Sequence, residues 1–506
     1  MLVSCRSRRS RWLAASLWLC HLIACEDDKD KSDDKSSDVS AAGEKGTSAG
    51  DGGRASKAGN GGAGQGKGGS GPDYQKPRCP VMVNDADCDR SKRPIVFVHG
   101  TVANGESFSY PALLLASNGY CADRIRAVEY NSLVPLACPK DKPDCPFMLD
   151  GMETYKRAKA AIDEAIQQLR DETGADKVDL LGHSQGAGHG AVYTRENPDK
   201  VAHYIHLAGG QLESDPGDVP TLCLSSTGDT PRQCKTTKNF VFQDDTLDHA
   251  AVASSSEAFV EIYKFLNDDK APDYTTVQCG SPITLEGRAP TFGDNTFLPG
   301  SKVEVYVVGE NVFSRGAPVR VFNIGDDGKF GPWEAKPDVA YEFKLIAPTG
   351  DKRKPRHAYL KPFVRSDRLL RFNFESMDPV ASATGKKVNY NDHHSVIVAR
   401  RRQKAFLFGR DSLTIDGFEA LSEENAKARN VVCALYLYDA ATGDMPGPGD
   451  GMSSGKSIIS GTFLNSADVF IPTDEVRFVE VKFGDTVLHV QDWGSATQGM
   501  SIVLVD

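Results

Sequence analysis

The chain has 506 residues and a formal net charge of −10 at pH 7, and it is 40% hydrophobic and 25% charged. Such a length suits about three domains. The mild acidity, and the lack of any basic patch interleaved with aromatics, argue against a nucleic-acid partner.

Residues 1–25 read as an export signal. Arg6, Arg8, Arg9 and Arg11 form its positive end, and Trp12 to Ala24 form a mostly apolar run too short to span a bilayer comfortably. The run closes on Leu22-Ile23-Ala24-Cys25, which resembles a bacterial lipobox. The resemblance implies cleavage before Cys25 and a lipid attached to it. The product would be an exported lipoprotein held at a membrane or cell surface, with plain secretion as the alternative. Several acyl chains at about 0.8 kcal/mol per buried methylene make such anchoring stable. Residues 26–76 are rich in Asp, Lys, Ser and Gly and cannot bury enough apolar surface to fold. They read as a disordered linker with a root-mean-square span of roughly 40 Å.

Residues 77–270 carry strands alternating with helices, the pattern of an α/β fold with a mostly parallel sheet. Arg93 to Val98 is a largely apolar run suited to a strand covered on both faces, and it ends in His99-Gly100-Thr101. A helix is predicted over Glu106 to Asn118, a strand over Arg124 to Tyr130 and a long helix over Tyr155 to Thr173. Asn131 to Met152 is an insertion between the last two. It reads either as a surface loop stapled by Cys138 and Cys145 or as an apolar lid for acyl chains.

The most informative stretch is Val178 to Gly190, VDLLGHSQGAGHG. A mostly apolar strand runs into Gly182-His183-Ser184-Gln185-Gly186 and then a helix, which is a nucleophile elbow. The flanking glycines permit a tight turn that thrusts the serine hydroxyl outward at the strand end. Gly451-Met452-Ser453-Ser454-Gly455 fits the same five-residue pattern. It follows a Gly/Pro/Asp-rich run with no strand before it, so it is assigned to a loop. The strand–turn–helix context, rather than the bare pattern, singles out Ser184.

A serine hydroxyl needs a base, the base needs an orienting acid, and the developing oxyanion needs donors. In this kind of fold the chain order is nucleophile, acid, histidine. Further strands are predicted at His203–Ala208, Thr221–Ser225 and Phe240–Phe242. The second of these runs into a loop ending at Asp229, and the third leads to Asp248-His249, before a closing helix from Ser254 to Leu266. Ser184, Asp229 and His249 are therefore the candidate triad, with Asp215 and Asp218 as rival acids. His357, His393, His394 and His489 also follow Asp229 but sit in a different kind of region. His99 is expected to orient its own loop and His183 to point away from the catalytic face. His189, His203 and His206 are assigned to packing or the surface. The backbone N–H groups of Thr101 and Gln185 are the candidate oxyanion donors. Losing one such donor typically costs about 3–4 kcal/mol of transition-state stabilisation.

Of the twelve cysteines, Cys5, Cys20 and Cys25 lie in the signal. Export makes disulfides permissible. Cys79/Cys88, Cys138/Cys145 and Cys223/Cys234 are near enough in sequence to close small loops, with Cys121, Cys279 and Cys433 left over. Spacing alone does not fix the connectivity. No cysteine–histidine cluster has zinc-ligand spacing, and neither a metal nor a cofactor is expected.

Beyond residue 270 helix-length periodicity ends. Short β-rich runs recur at Lys302–Val308, Val319–Asn323, Tyr341–Ile346, Leu369–Phe374, Ser395–Ala399, Cys433–Tyr438, Val476–Phe483 and Ser501–Val505. They predict a β-sandwich module over 271–385 and a second β-rich module over 386–506. Gly287 to Leu345 resembles carboxypeptidase-regulatory-like sandwich modules through Asp327-Gly328-Lys329-Phe330 and Tyr341-Glu342-Phe343.

The elbow and its flanking strands make residues 77–270 resemble the α/β-hydrolase lipases and esterases. Most of residues 90–506 is also similar to archaeal long-chain ester lipases with a C-terminal β domain. That likeness runs through Pro362-Phe363-Val364-Arg365-Ser366-Asp367, Asp492-Trp493 and Ser501-Ile502-Val503-Leu504. It implies an acyl-enzyme on Ser184, a lipid or acyl-ester substrate and a β domain that helps shape a long-chain acyl site. One departure matters. In that group the triad acid follows an earlier strand, whose equivalent here, Leu207-Ala208-Gly209-Gly210, holds no acid. Asp229 is therefore preferred, and chain-length preference does not transfer. A polyester depolymerase is the alternative among enzymes. A non-catalytic surface-binding or adhesion lipoprotein is the alternative of another class. The sequence carries no signal of oligomeric state.

Overall fold

The structure is a computed structural model and describes residues 82–133, 151–309, 316–377, 388–428, 431–440, 463–473 and 477–506. The signal with Cys25, the linker, Cys79, the segment holding Cys138 and Cys145, Gly451 to Gly455, and the module boundary at 385 lie outside those residues.

Six strands build the N-terminal sheet: β1 (Ile95–Val98), β2 (Ile125–Ala127), β3 (Val178–His183), β4 (Val201–Leu207), β5 (Thr221–Ser226) and β6 (Lys238–Phe242). They run parallel in the order β2-β1-β3-β4-β5-β6. The helices beside it are α1 (Ser109–Ser117), α2 (Gly151–Thr173), α3 (Gln185–Glu196), α4 (Ala251–Ser254) and α5 (Ser256–Leu266).

Strand alternation decides which layer each side chain enters. Ile95 and Phe97 join Leu181, Ile205, Leu222 and Leu224 in one apolar cluster, against Leu114 and Leu115 of α1 and Phe259 and Ile262 of α5. Val96 and Val98 join Val178, Leu180 and Val201 in another, against Ile162, Ile166 and Leu169 of α2 and Tyr193 of α3. The apolar run of β1 is thus buried on both faces, as its sequence predicts. The predicted closing helix is α5, and the short α4 precedes it. The Ser255 hydroxyl accepts from the Ala258 N–H and starts α5 afresh.

The C-terminal half is built on one long sheet. Its eight strands lie in the order 464–468, 434–438, 397–400, 500–504, 356–360, 341–346, 302–307 and 320–323. A three-stranded sheet (329–335, 283–288, 367–371) packs Leu285, Phe330 and Leu370 against Val305, Phe343, Ala358 and Leu504. A four-stranded sheet (418–419, 413–415, 478–483, 486–491) packs Leu413, Val481 and Val490 against Tyr359, Ala399, Leu437 and Val503. Ala358 and Tyr359 are consecutive, as are Val503 and Leu504, so the two small sheets cover opposite faces of the long one. That long sheet takes strands from both sides of residue 385.

Cys223 pairs with Cys234, one of the pairings the spacing allows. Cys88 pairs with Cys121 instead of Cys79. The Asp89 N–H donates to Gly119 O at 2.8 Å, which seats the segment before β1 against the end of α1 and brings the two sulfurs together. Cys279 is also disulfide-bonded. Cys433 is a free thiol whose pKa burial pushes up to about 12.

Charged side chains hold the two halves together. Arg365, only 1% exposed, donates to Ser117 Oγ and Gln278 O at 2.9 Å and to Ala116 O at 3.1 Å, and it pairs with Asp85 at 2.5 Å. Arg371 pairs with Glu129 at 2.5 Å, and Arg400 with Glu106 at 2.5 Å. Buried charges persist only when paired in this way. No helix among the described residues is long and apolar enough to cross a membrane.

Candidate active site

The chain leaves β3 at His183 and turns at Ser184 with φ +57 and ψ −121 before α3 begins at Gln185. Residues with a side chain avoid this backbone region, at a cost of order 1–3 kcal/mol. The turn is held by Ser184 N–H donating to Leu207 O at 2.9 Å, and by Ser184 O accepting from the Ala187 N–H at 3.0 Å. Glycines make the fit possible. A Cβ on Gly182 would lie 2.4 Å from Gly186 O, and one on Gly186 would lie 2.3 Å from Val98 O and His99 O. A Cβ on Gly100 would lie 2.8 Å from that of Ser184, so the loop after β1 rests directly on the serine.

Asp229 and His249 meet at the same sheet edge. Asp229 Oδ2 accepts from His249 Nδ1 at 3.0 Å, with both side chains mostly buried. Their loops are locked together, because Ser226 Oγ donates to Leu247 O at 2.5 Å and accepts from the Asp229 N–H at 3.2 Å. Burial alone would raise the Asp229 carboxyl. The hydrogen bond and charge of His249, with the Thr230 N–H, outweigh it and hold the carboxyl below its ordinary value.

His183 differs from its expected orientation. Its Nε2–H donates to His249 O at 2.8 Å, and the two rings lie 4.8 Å apart. Burial first, and the nearby charge of His249 second, push its pKa down to about 3. The ring therefore stays neutral and props the His249 loop from the residue before Ser184. The physical reason is that the segment after β6 folds back over the strand ends, so the end of β3 meets that segment. Among the described residues the Ser184 hydroxyl and the His249 ring share no hydrogen bond. In ligand-free sites this contact is commonly long and tightens with substrate.

The two candidate oxyanion donors flank the serine. Gln185 N–H is the first of α3 and has no intrahelical acceptor. Thr101 follows Gly100 in the loop lying on Ser184, and the next N–H, that of Val102, donates to Ser132 Oγ at 2.9 Å. His99 is fully buried, stacks on Tyr130 at 4.3 Å and bonds Gly100 O through Nδ1 at 2.8 Å. The rival acids stand apart. Asp215 accepts from the Thr237 N–H at 2.8 Å, and Asp218 is exposed at φ +56.

Two contributions from the C-terminal half have no signal in the sequence. Asp248 caps the start of α4 through the Ala250 and Ala251 N–H groups at 3.0 Å, and its other oxygen accepts from the Ala405 N–H at 2.8 Å. Asn295 reaches the loop around His99. Both partners are distant in the chain, and neither lies in a recognisable motif. Among the described residues no group of three or more His, Cys, Asp or Glu side chains could hold a metal ion.

Residues 132–229 match the family model described as alpha/beta hydrolase fold, and residues 281–377 match that of the lipase C-terminal domain. With the parallel sheet and the elbow, these matches mark an α/β-hydrolase fold followed by a lipase-type β region. Among solved structures, a pyrethroid hydrolase is 20% identical with a TM-score of 0.18, over 24% of this chain and 42% of that one. The chain thus spans less than half the length of that enzyme. The thioesterase domain from the curacin biosynthetic pathway is 12% identical with a TM-score of 0.25, over 35% of this chain and 92% of that one. A lipase-esterase related protein from Clostridium acetobutylicum is 12% identical with a TM-score of 0.24, over 35% and 96%.

Proposed function

We propose that this α/β-hydrolase is a serine carboxylic-ester hydrolase of the lipase or esterase type. The observation that supports it most is the Asp229–His249 pair at the edge where a positive-φ serine sits under a glycine loop. Ser184 Oγ attacks the ester carbonyl carbon, and its proton passes to His249 Nε2. Asp229 holds Nδ1–H, which fixes the tautomer and stabilises the imidazolium. The N–H groups of Thr101 and Gln185 receive the developing oxyanion. His249 returns the proton to the departing alcohol oxygen and leaves an acyl-enzyme. Water then attacks the acyl carbon and gives a proton to His249, which restores it to Ser184 as the carboxylic acid leaves.

The match to a lipase C-terminal domain supports an acyl ester or lipid as substrate. The lipobox at Cys25 supports export and anchoring at a membrane or cell surface. The test is turnover of p-nitrophenyl butyrate together with labelling by a fluorophosphonate. The unsubstituted protein should turn over the ester and label at Ser184, and Ser184→Ala should do neither. Undiminished turnover by the variant, or an unlabelled native serine, overturns the reading. Hydrolysis of a tributyrin emulsion against polyester film separates a lipase from a polyester depolymerase.

A further inference from the structure

The loop over Ser184 is held by a side chain from the other half of the molecule. Asn295 lies in the turn after the strand 283–288, at φ +52 and 6% exposed. Its Nδ2 sits 2.7 Å from Ala103 O, 3.2 Å from Tyr130 O and 3.3 Å from His99 Nε2. The two carbonyls can only accept, so the amide nitrogen, not the oxygen, must face this cluster. Its buried Oδ1 has no partner among the described residues, so the position is occupied for its donor end.

His99 Nδ1 faces Gly100 O at 2.8 Å and must donate to it. His99 Nε2 faces two donors, Asn295 Nδ2 and the Tyr130 N–H at 3.4 Å, and so carries no proton. Full burial lowers the pKa of this ring, in keeping with a neutral tautomer. Gly100 C=O and Thr101 N–H belong to one planar trans peptide and point in opposite directions. Pinning the carbonyl on His99 therefore aims the N–H the other way.

We propose that Asn295 is a positioning residue for the oxyanion loop: it fixes the His99 tautomer that grips the Gly100 carbonyl, and so orients the Thr101 N–H beside Ser184. This rests on the ester-hydrolase reading above. Two variants of the full chain test it. Asn295→Gly removes the amide without strain at positive φ, and Asn295→Asp keeps the size but loses the donor. Each should lower kcat on p-nitrophenyl butyrate on the order of 10-fold or more, with KM within about 2-fold. Affinity for an alkyl boronic acid, which forms a tetrahedral adduct on the serine, should fall by a similar factor. A residue that merely packs the halves together would change melting without this split. Imidazole nitrogen shifts of the unsubstituted, ¹⁵N-histidine-labelled protein supply a readout independent of variant folding. His99 must be protonated at Nδ1, and an Nε2–H ring overturns the proposal. So do variants with native kcat and boronate affinity, provided the native protein turns over ester and labels at Ser184. If it does neither, the functional reading fails first.

Discussion

The two halves of this molecule differ in how chain neighbours become spatial neighbours. In the N-terminal half, sheet order follows chain order from β3 to β6, and the strand ends deliver Ser184, Asp229 and His249 to one edge. In the β half, Met500–Leu504 lies between 397–400 and 356–360, pairing across more than a hundred residues on either side. The N-terminal core is apolar in both its layers, whereas the boundary between the halves carries Arg365, Glu129 with Arg371, and Glu106 with Arg400. Local sterics can therefore gather these side chains at one edge, but the loops around it are completed by contacts made at long range.

The largest effects are expected from substitutions at the sheet edge of the N-terminal half. Ser184→Ala should lower kcat by roughly 10⁶-fold while the thermal midpoint holds, because alanine keeps the Cβ and the same positive-φ turn. Asp229→Asn should cost on the order of 10⁴-fold in kcat through the wrong imidazole tautomer, measured on the same ester. At the boundary, Glu129→Ala leaves Arg371 buried and unpaired. It should destabilise the protein by about 3–5 kcal/mol, read as a lower urea midpoint. If unfolding there becomes biphasic, the halves lose cooperativity once the pair is gone.

The smallest effect is a pH slope. Burial lowers the pKa of His183 to about 3 and those of His189 and His206 to about 4. Unfolded histidine takes up its proton near about 6.5, so the unfolded chain binds more protons between that value and the folded ones. Stability therefore rises with pH across this window and is lost as pH falls from about 6.5 toward about 4. His189→Phe, which keeps a ring against Tyr130 and Tyr155, should flatten the plot of thermal midpoint against pH in that range. Asp229 acts lower down. Its carboxyl is depressed, so its contribution is complete above the usual carboxylate value of about 3.9 and vanishes only as pH drops through its folded value.

Legibility in the sequence followed the range of the cause. Gly182, Ser184 and Gly186 are dictated by clashes within a few residues, so the elbow could be read directly. Asp229 and His249 were reachable because each follows a recognisable strand. The apolar runs at 341–346 and 434–438 could be read as strands, but 283–288 and 329–335, with their Gly, Pro and charged residues, could not. His183 was misjudged because its partner is a backbone carbonyl on another loop. Asn295 and Arg371 were invisible, since an isolated amide or guanidinium gives no hint of a partner in the other half.

The placement of Met500–Leu504 dictates an order of assembly. Until that segment arrives, 397–400 and 356–360 each present a border of unsatisfied amides and carbonyls, open to any foreign strand. The parallel sheet carrying Ser184 contains none of it and has no need to wait. Truncation before Met500 would therefore yield sticky, self-associating material, and shielding those borders falls to whatever escorts the nascent polypeptide.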